Sequence, residues 1–327
     1  MSFAAPLADA APQARAMSTV RTIRPGKIVP FAMLVLLGCV WGLVMPLSSM
    51  AMARRLEPFA LSTAVSAVGA LTFLALSLRR GRLQRLTFRE LGYFALWALV
   101  SVAGQCLLFF VIRYVPSSTI SVISILDGLM VFVLAAFFRL EAASPKRLLG
   151  LAAGFGGLAV MLGVADPAAS PVGAITILAL GVPLSYAAEN LLISSRWPSR
   201  VDACLGLGIM QAIATLISGS LVLIAGGSLS IPPAADRSLV LLICVCVAFA
   251  NWLLQALVRR SGPVFASQNS YLVTIAGIGW SVLLLGEALP PSFWLGLAAV
   301  LLGVFIVQPR AHPTKRPASP IQHKVLT

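Results

Sequence analysis

The sequence predicts an all-α integral membrane protein with ten transmembrane helices, arranged as two inverted five-helix repeats. Three observations carry that expectation. Of 327 residues, 59% are hydrophobic and only 10% are charged, too little polar surface for a soluble domain. Apolar runs of about 20 residues recur along the chain, the length that crosses a hydrocarbon core as a helix. Finally, the stretch from Pro116 to about Val164 returns from Pro263 to about Val307. Each copy opens with a proline, then gives an apolar run holding a few small polar residues. Each reaches a glutamate (Glu141, Glu287), turns at proline (Pro145; Pro290 and Pro291) and enters a second apolar run. Leu149-Gly150-Leu151-Ala152-Ala153 matches Leu295-Gly296-Leu297-Ala298-Ala299, and Gly157 answers Gly303. A repeat of this length points to two similar halves. The runs are continuous rather than alternating, which argues against a β-barrel.

Residues 1–27 are rich in Ala, Pro and Arg and read as a disordered cytoplasmic tail, with Met17 as an alternative start. Arg21, Arg24 and Lys27 resemble a signal-peptide n-region, and Ala51-Met52-Ala53 has the form of a cleavage site. The run from Val29 to Met50 is longer than a signal h-region, so it reads as an uncleaved first helix. The ten spans fall at about 29–50, 58–78, 91–112, 117–138, 146–164, 171–194, 203–225, 238–258, 263–285 and 292–308. They divide into repeats at 28–165 and 166–308, followed by a second polar tail, 309–327.

The net charge of +14 would suggest nucleic acid in a soluble protein. Here the cations sit in short loops, so membrane topology explains them and no nucleic-acid partner is expected. Twenty of the 24 Lys and Arg lie in one set of loops and the tails, and only Arg54, Arg55, Arg113 and Arg237 lie in the other. The positive-inside rule then places both termini in the cytoplasm, which an even number of spans requires. Two halves of five spans each must be inverted relative to one another. Such repeats are a common plan of secondary transporters, whose site lies near the midplane where the halves meet. The third and eighth spans support the pairing, with Arg113 before Pro116 and Arg260 before Pro263.

The five cysteines lie inside apolar runs with no disulfide or zinc spacing. Both histidines, His312 and His323, lie in the C-terminal tail, which excludes histidine catalysis or a histidine metal site within the membrane. No Gly-rich phosphate loop, HExxH or GxSxG motif appears, and no cofactor is expected. Of ten acidic residues, only Asp127 and Glu189 look intramembrane. An ionised carboxylate at mid-membrane costs roughly 2.5–3.5 kcal/mol on insertion scales, so a cation, a proton or a polar cavity must offset it. Ser117, Ser121 and Ser124 form a helical stripe with Asp127 at its edge. Asp127 reads as a proton carrier or the partner of a substrate amine; the alternative is a hydrogen-bonded Asp that holds helix packing. Glu189, with Tyr186, Asn190 and Ser185 around it, reads as a polar wall of the pathway or as an interfacial Glu paired with Arg196.

Gly38, Gly42 and Pro46 in the first span, and Gly181 and Pro183 in the sixth, predict interrupted helices at corresponding positions. Such a pair is a sequence pointer to a transport site, although a simple kink is the competing reading. Gln105, Asn251 and Gln255 should face the interior, because buried amides in lipid need partners. Ser267, Tyr271, Thr274 and Ser281 share a face of the ninth span, beside Gln268 and Asn269. Trp41, Tyr186, Tyr271 and Trp280 either line a path for an organic molecule or simply pack. Gly150 and Gly154 form a GxxxG, read as close helix packing with a homodimer face as the alternative.

With these residues in view, the chain resembles the drug/metabolite transporter superfamily, specifically its EamA-type ten-helix branch. The resemblance rests on Trp41-Gly42, on Pro116 with Ser117 and Ser118, and on Glu141 with Gly150 and Gly157. In the second half it rests on Gly262-Pro263 with Ala266-Ser267, Gly286-Glu287, Trp294, Gly296 and Gly303. It implies an inner-membrane carrier that exports amino acids or other small metabolites, with structural glutamates after the fourth and ninth spans. Family members commonly carry a proline inside those spans, where this chain has Asp127 and Val273-Thr274.

The expected function is therefore a secondary transporter, an exporter of a small organic metabolite that works by alternating access in a bacterial inner membrane. The candidate binding residues are Asp127, Ser124, Glu189, Asn190, Tyr186, Gln105, Asn251, Trp41 and Tyr271. The expected partners are a small-molecule substrate and the lipid bilayer, with the chain a monomer or homodimer. Two other classes compete: an integral membrane enzyme acting on lipid, and a membrane scaffold without solute flux.

Overall fold

The computed structural model describes residues 28–137, 145–161, 175, 178–227, 234–261, 263–266 and 268–307. Both tails, Glu141, Asp166, Ser267 and the side chain of Arg196 lie outside the described residues. The helices of the first half are α1 (Ile28–Ala53), α2 (Pro58–Arg79), α3 (Phe88–Val111), α4 (Ser117–Ser124), α5 (Asp127–Phe137) and α6 (Pro145–Met161). Those of the second half are α7 (Gly181–Arg196), α8 (Ala203–Ile224), α9 (Ala234–Ser261), α10 (Pro263–Ala266), α11 (Asn269–Leu285) and α12 (Pro291–Val307). Six spans are long and apolar enough to cross a membrane by length and composition, the fourth as Ser117–Leu134; α11, α12 and the apolar part of α6 are shorter. No strand occurs among the described residues.

Local chemistry sets the helix ends. Glu57 caps α2 by accepting from the Ala60 N–H at 2.6 Å, with Pro58 in the first position, where its missing N–H costs nothing. Thr87 and Glu90 form a reciprocal capping box at the start of α3. Asp202 caps α8 through the Cys204 N–H at 3.1 Å. Gly286 ends α11 in the left-handed conformation, φ 63°, which glycine adopts without a Cβ clash.

Packing follows a five-span correspondence. With α1, α2, α3, α4–α5 and α6 matched to α7, α8, α9, α10–α11 and α12, three counterpart pairs pack directly: α2 on α8, α4 on α11 and α6 on α12. Several other contacts exchange under the same rule. Helix α1 packs on α9 and α11 as α7 packs on α3 and α4–α5, and α3 on α8 mirrors α9 on α2. Register shows that the counterparts run antiparallel. Thr63 donates to Ser218 at 3.0 Å, while further along Gly69 meets Gln211 and Gly208 meets Leu74. Ser117 and Ser281 share a hydroxyl bond of 2.6 Å, and Thr274 donates to the Ser121 carbonyl at 3.1 Å.

Small residues let these backbones touch. A Cβ added at Gly157 would lie 2.6 Å from the Gly296 carbonyl oxygen, and one at Gly303 would lie 2.5 Å from that of Gly150. The Gly150–Gly154 face is thus filled by α12 of the same chain, which removes it as a homodimer surface. Gly38 and Gly42 do the same between α1 and α11, where added Cβ atoms would meet Leu272 and the Gly277 backbone. The expected interruption of the first span is therefore corrected: α1 is one helix through Pro46. The breaks fall instead at Ile125–Leu126 between α4 and α5, and between α10 and α11. In the sixth span a turn at Leu180 precedes α7, and Pro183 sits in its first turn, where no helical bond is lost.

Loop contacts sort into two ends. At one end, Arg200 grips Glu90 with bonds of 2.6 and 2.7 Å, and Arg82 pairs with Asp202. At the other, Arg54 pairs with Asp236, Arg113 donates to the Leu56 carbonyl and Glu287 bonds to Ser117 and Ser118. The outer faces carry large apolar side chains such as Leu71, Leu216, Leu283 and Phe305, each about 70% exposed or more, a surface suited to acyl chains rather than water.

Candidate functional site

Asp127 of α5 and Glu189 of α7 lie near where α7 packs against both α3 and α5. Helices α3 and α7 pack antiparallel, with Leu107 against Gly181, Gly104 against Ser185 and the Tyr93 hydroxyl donating to the Leu192 carbonyl at 3.3 Å. A Cβ at Gly104 would lie only 2.7 Å from that of Ser185, so glycine brings the axes together. One turn along from this contact, Glu189 faces back onto α3. It lies beside the Ser101 hydroxyl and the Trp97 indole nitrogen. Trp97 is 4% exposed, and its indole N–H makes no satisfactory hydrogen bond.

Asp127 approaches α7 from α5 and meets Asn190 rather than Glu189. The α4–α5 break leaves it in the first turn of α5, at the positive end of that helix's dipole. Two short-range bonds tighten the turn, Ile125 N–H to Val122 and Leu126 N–H to Ile123. The Asn190 amide of α7 donates to Asp127 at 3.4 Å. Tyr186, also on α7, lies close enough to Asp127 and Glu189 to feel both charges. Asp127 is half-buried while Gly128 and Asn190 are exposed, so the seam is accessible from one side. Among the described side chains no cation pairs with either acid.

Four sequence-predicted residues are thus brought together: Asp127, Tyr186, Glu189 and Asn190. The others lie apart. The helix break separates Asp127 from the expected serine stripe, which turns the other way: Ser117 and Ser121 are buried against α11, and Ser124 donates to its own Ile120 carbonyl at 2.9 Å. Gln105 accepts from Ser62 of α2 at 2.7 Å. Asn251 donates to the Val247 carbonyl of its own helix, and Gln255 accepts weakly from Cys204. Trp41 and Tyr271 are half-buried against the central apolar core, and Trp280 is tied to the Cys39 carbonyl at 3.0 Å. Of the ninth-span face, Thr274 and Ser281 are used in packing against α4, while Asn269 keeps a buried, unpartnered carbonyl oxygen.

Ser101 and Trp97 escaped sequence reasoning. Their signal was present, because Trp97, Ser101 and Gly104 share one helical face, as Ser185 and Glu189 do. Only the docking of those two faces makes them neighbours.

Comparison with known proteins places this geometry. No curated protein matches the chain. A solved crystal structure, described only as that of a protein, superposes with a TM-score of 0.55 at 19% identity, over 84% of this chain and 97% of that one. At that identity it speaks to fold alone. The model of the EamA-like transporter family matches twice, at residues 30–163 and 174–308, once in each half of the contact pattern above. The chain is a multi-pass membrane protein and belongs to the EamA-like transporter family.

Proposed function

We propose that the protein is a secondary transporter, an exporter of a small amine-bearing organic metabolite such as an amino acid or related compound. In this reading ten spans cross a bacterial inner membrane as two inverted repeats, 28–165 and 166–308, with both termini in the cytoplasm. Transport proceeds by alternating access about the seam between α3, α5 and α7, and the driving force comes from ion or solute gradients.

The observation that carries the reading is that Asp127, bonded to Asn190, and Glu189, beside Ser101 and Trp97, both lack a cation among the described side chains. Two carboxylates within lipid depth must be neutralised, and a proton or an ammonium group does this. Asp127 takes the proton or the amine. Asn190 and Tyr186 shape the pocket, and Ser101 and Trp97 hold the Glu189 carboxyl in place. The helix break gives Asp127 a place to move, since a two-residue turn can rotate where a continuous helix cannot. Gln105, Asn251, Trp41 and Tyr271 act at one remove, by holding the helices that frame the seam.

The test is flux in proteoliposomes against a panel of amines and amino acids, wild type beside Asp127→Asn. A verified substrate should lose at least tenfold in rate in the variant, and the pH dependence of its flux should flatten. Equal flux at equal reconstitution across the pH range removes Asp127 from the mechanism.

A further inference from the structure

A recess lies away from the acids, between α2, α3 and α8, with a volume of about 700 Å³. Its floor is apolar, formed by side chains such as Leu99, Leu107 and Phe110 of α3 and Leu221 of α8, with the Cys106 thiol the most polar group there. Its rim is charged: Arg55, Glu57 and Arg113. Leu99 to Phe110 spans twelve residues of helix, roughly 16 Å over its eleven steps at about 1.5 Å each. That is close to half of a hydrocarbon core of about 30 Å. The recess therefore runs from mid-membrane to one interface, the depth of a single leaflet, with its charge at the headgroup level.

The two arginines are placed for an anion. Arg113 is held by the Leu56 carbonyl at 2.7 Å and the Met52 sulfur at 3.4 Å, and no carboxylate bonds it among the described residues. Arg55 has the left-handed φ of 60°, unique among described non-glycine residues, in the turn that leads to the rim. Glu57 is engaged by the Ala60 N–H, so its charge is partly spent on capping. Only four basic residues lie on this side of the membrane, and Arg54 is paired with Asp236. That two of the four converge on one groove is not explained by topology, which disfavours cations there.

We infer that this groove binds one anionic phospholipid, its phosphate on Arg55 and Arg113 and one acyl chain along α3 between Leu99 and Phe110. A water-soluble solute finds no polar partner on that floor. A phospholipid matches both ends, and its net negative charge complements a rim with two guanidiniums and one occupied carboxylate. The lipid then braces α3, the helix that carries Trp97 and Ser101, against α2 and α8.

The experiment is native mass spectrometry of the full-length protein released from nanodiscs holding equal phosphatidylglycerol and phosphatidylcholine of identical chains. The wild type should retain phosphatidylglycerol over phosphatidylcholine by roughly 25-fold, about fivefold for each arginine. Arg55→Gln should cut the preference about fivefold. Arg55→Gln with Arg113→Gln should abolish it, while Arg89→Gln at the opposite end should leave it unchanged. Because Arg113 also supports the Leu56 carbonyl, Arg55→Gln alone is decisive if the double variant fails to fold. A photoreactive acyl chain should label the 99–110 peptide. Equal retention of the two lipids, labelling elsewhere, or displacement by glycerol phosphate as efficient as by lipid would overturn the proposal.

Discussion

Replacing Glu287 by Gln tests how the two halves are joined. Glu287 follows α11, yet it caps α4 of the other half: one carboxylate oxygen accepts from the Ser117 N–H at 2.8 Å and the Ser117 hydroxyl at 3.0 Å, and the second accepts from the Ser118 N–H at 3.1 Å. Gln keeps one acceptor. It loses the charge at a helix N-terminus and turns an amide donor toward the Ser118 N–H. A charged hydrogen bond contributes about 1.5–3 kcal/mol and a helix cap about 1 kcal/mol. We take about 2 kcal/mol for the loss, which raises a local opening equilibrium roughly 30-fold. Hydrogen exchange read by mass spectrometry is the assay. Peptides covering Ser117–Ser124 should exchange roughly 30-fold faster in Glu287→Gln, while those from the α6–α12 seam keep their wild-type rates. Unchanged protection at Ser117–Ser124 would refute the clamp, and uniform acceleration along the chain would show a general loss of stability instead.

Three further outcomes are expected. Gly157→Ala should destabilise the protein by about 1–3 kcal/mol in thermal unfolding, because its Cβ would meet backbone atoms of α12 that cannot rotate away; Gly156→Ala, with open space at that position, should be neutral or gain up to about 1 kcal/mol. Thr87→Ala should cost about 1 kcal/mol and fray the start of α3, seen as faster exchange confined to its first turn. For Asp202, burial pushes the carboxyl up, but the Arg82 guanidinium and the Cys204 N–H outweigh it and hold the group below its ordinary value of 3.8. A depressed folded value stabilises the fold above the unfolded one, and that contribution is lost as pH falls through the folded value. The gap in melting temperature between wild type and Asp202→Asn should therefore be present at neutral pH and close in acid. A gap that widens in acid would contradict the assignment, and salt should shrink it because Arg82 is exposed.

Much of the architecture was legible because lipid imposes simple rules on sequence. Backbone groups in hydrocarbon must bond within their own segment, so apolar runs become helices, and charge bias orders their ends. The matching hairpins around Gly150 and Gly296 announced the repeat, and these glycines lie on the α6–α12 seam. Helix interruption was harder to read. Pro46 and the glycines of α1 suggested a break, yet neighbouring α11 fills the space that glycine leaves and the helix continues. The real break at Ile125–Leu126 has no proline and only Gly128, two residues on, to mark it.

The sequence by itself determined the class of protein, its apolar helices and its division into two similar halves. These follow from composition and periodicity, which are local properties. Only tertiary structure decided that Asp127 faces Asn190 rather than the serine stripe, that Glu189 lies beside Trp97 and Ser101, and that Gln105 and Asn251 are occupied elsewhere. In a chain where nearly every face is apolar, hydrophobicity cannot say which faces meet. Sub-ångström fits at glycines such as Gly104 and Gly157 make that choice, and such fits exist only once both helices are in place.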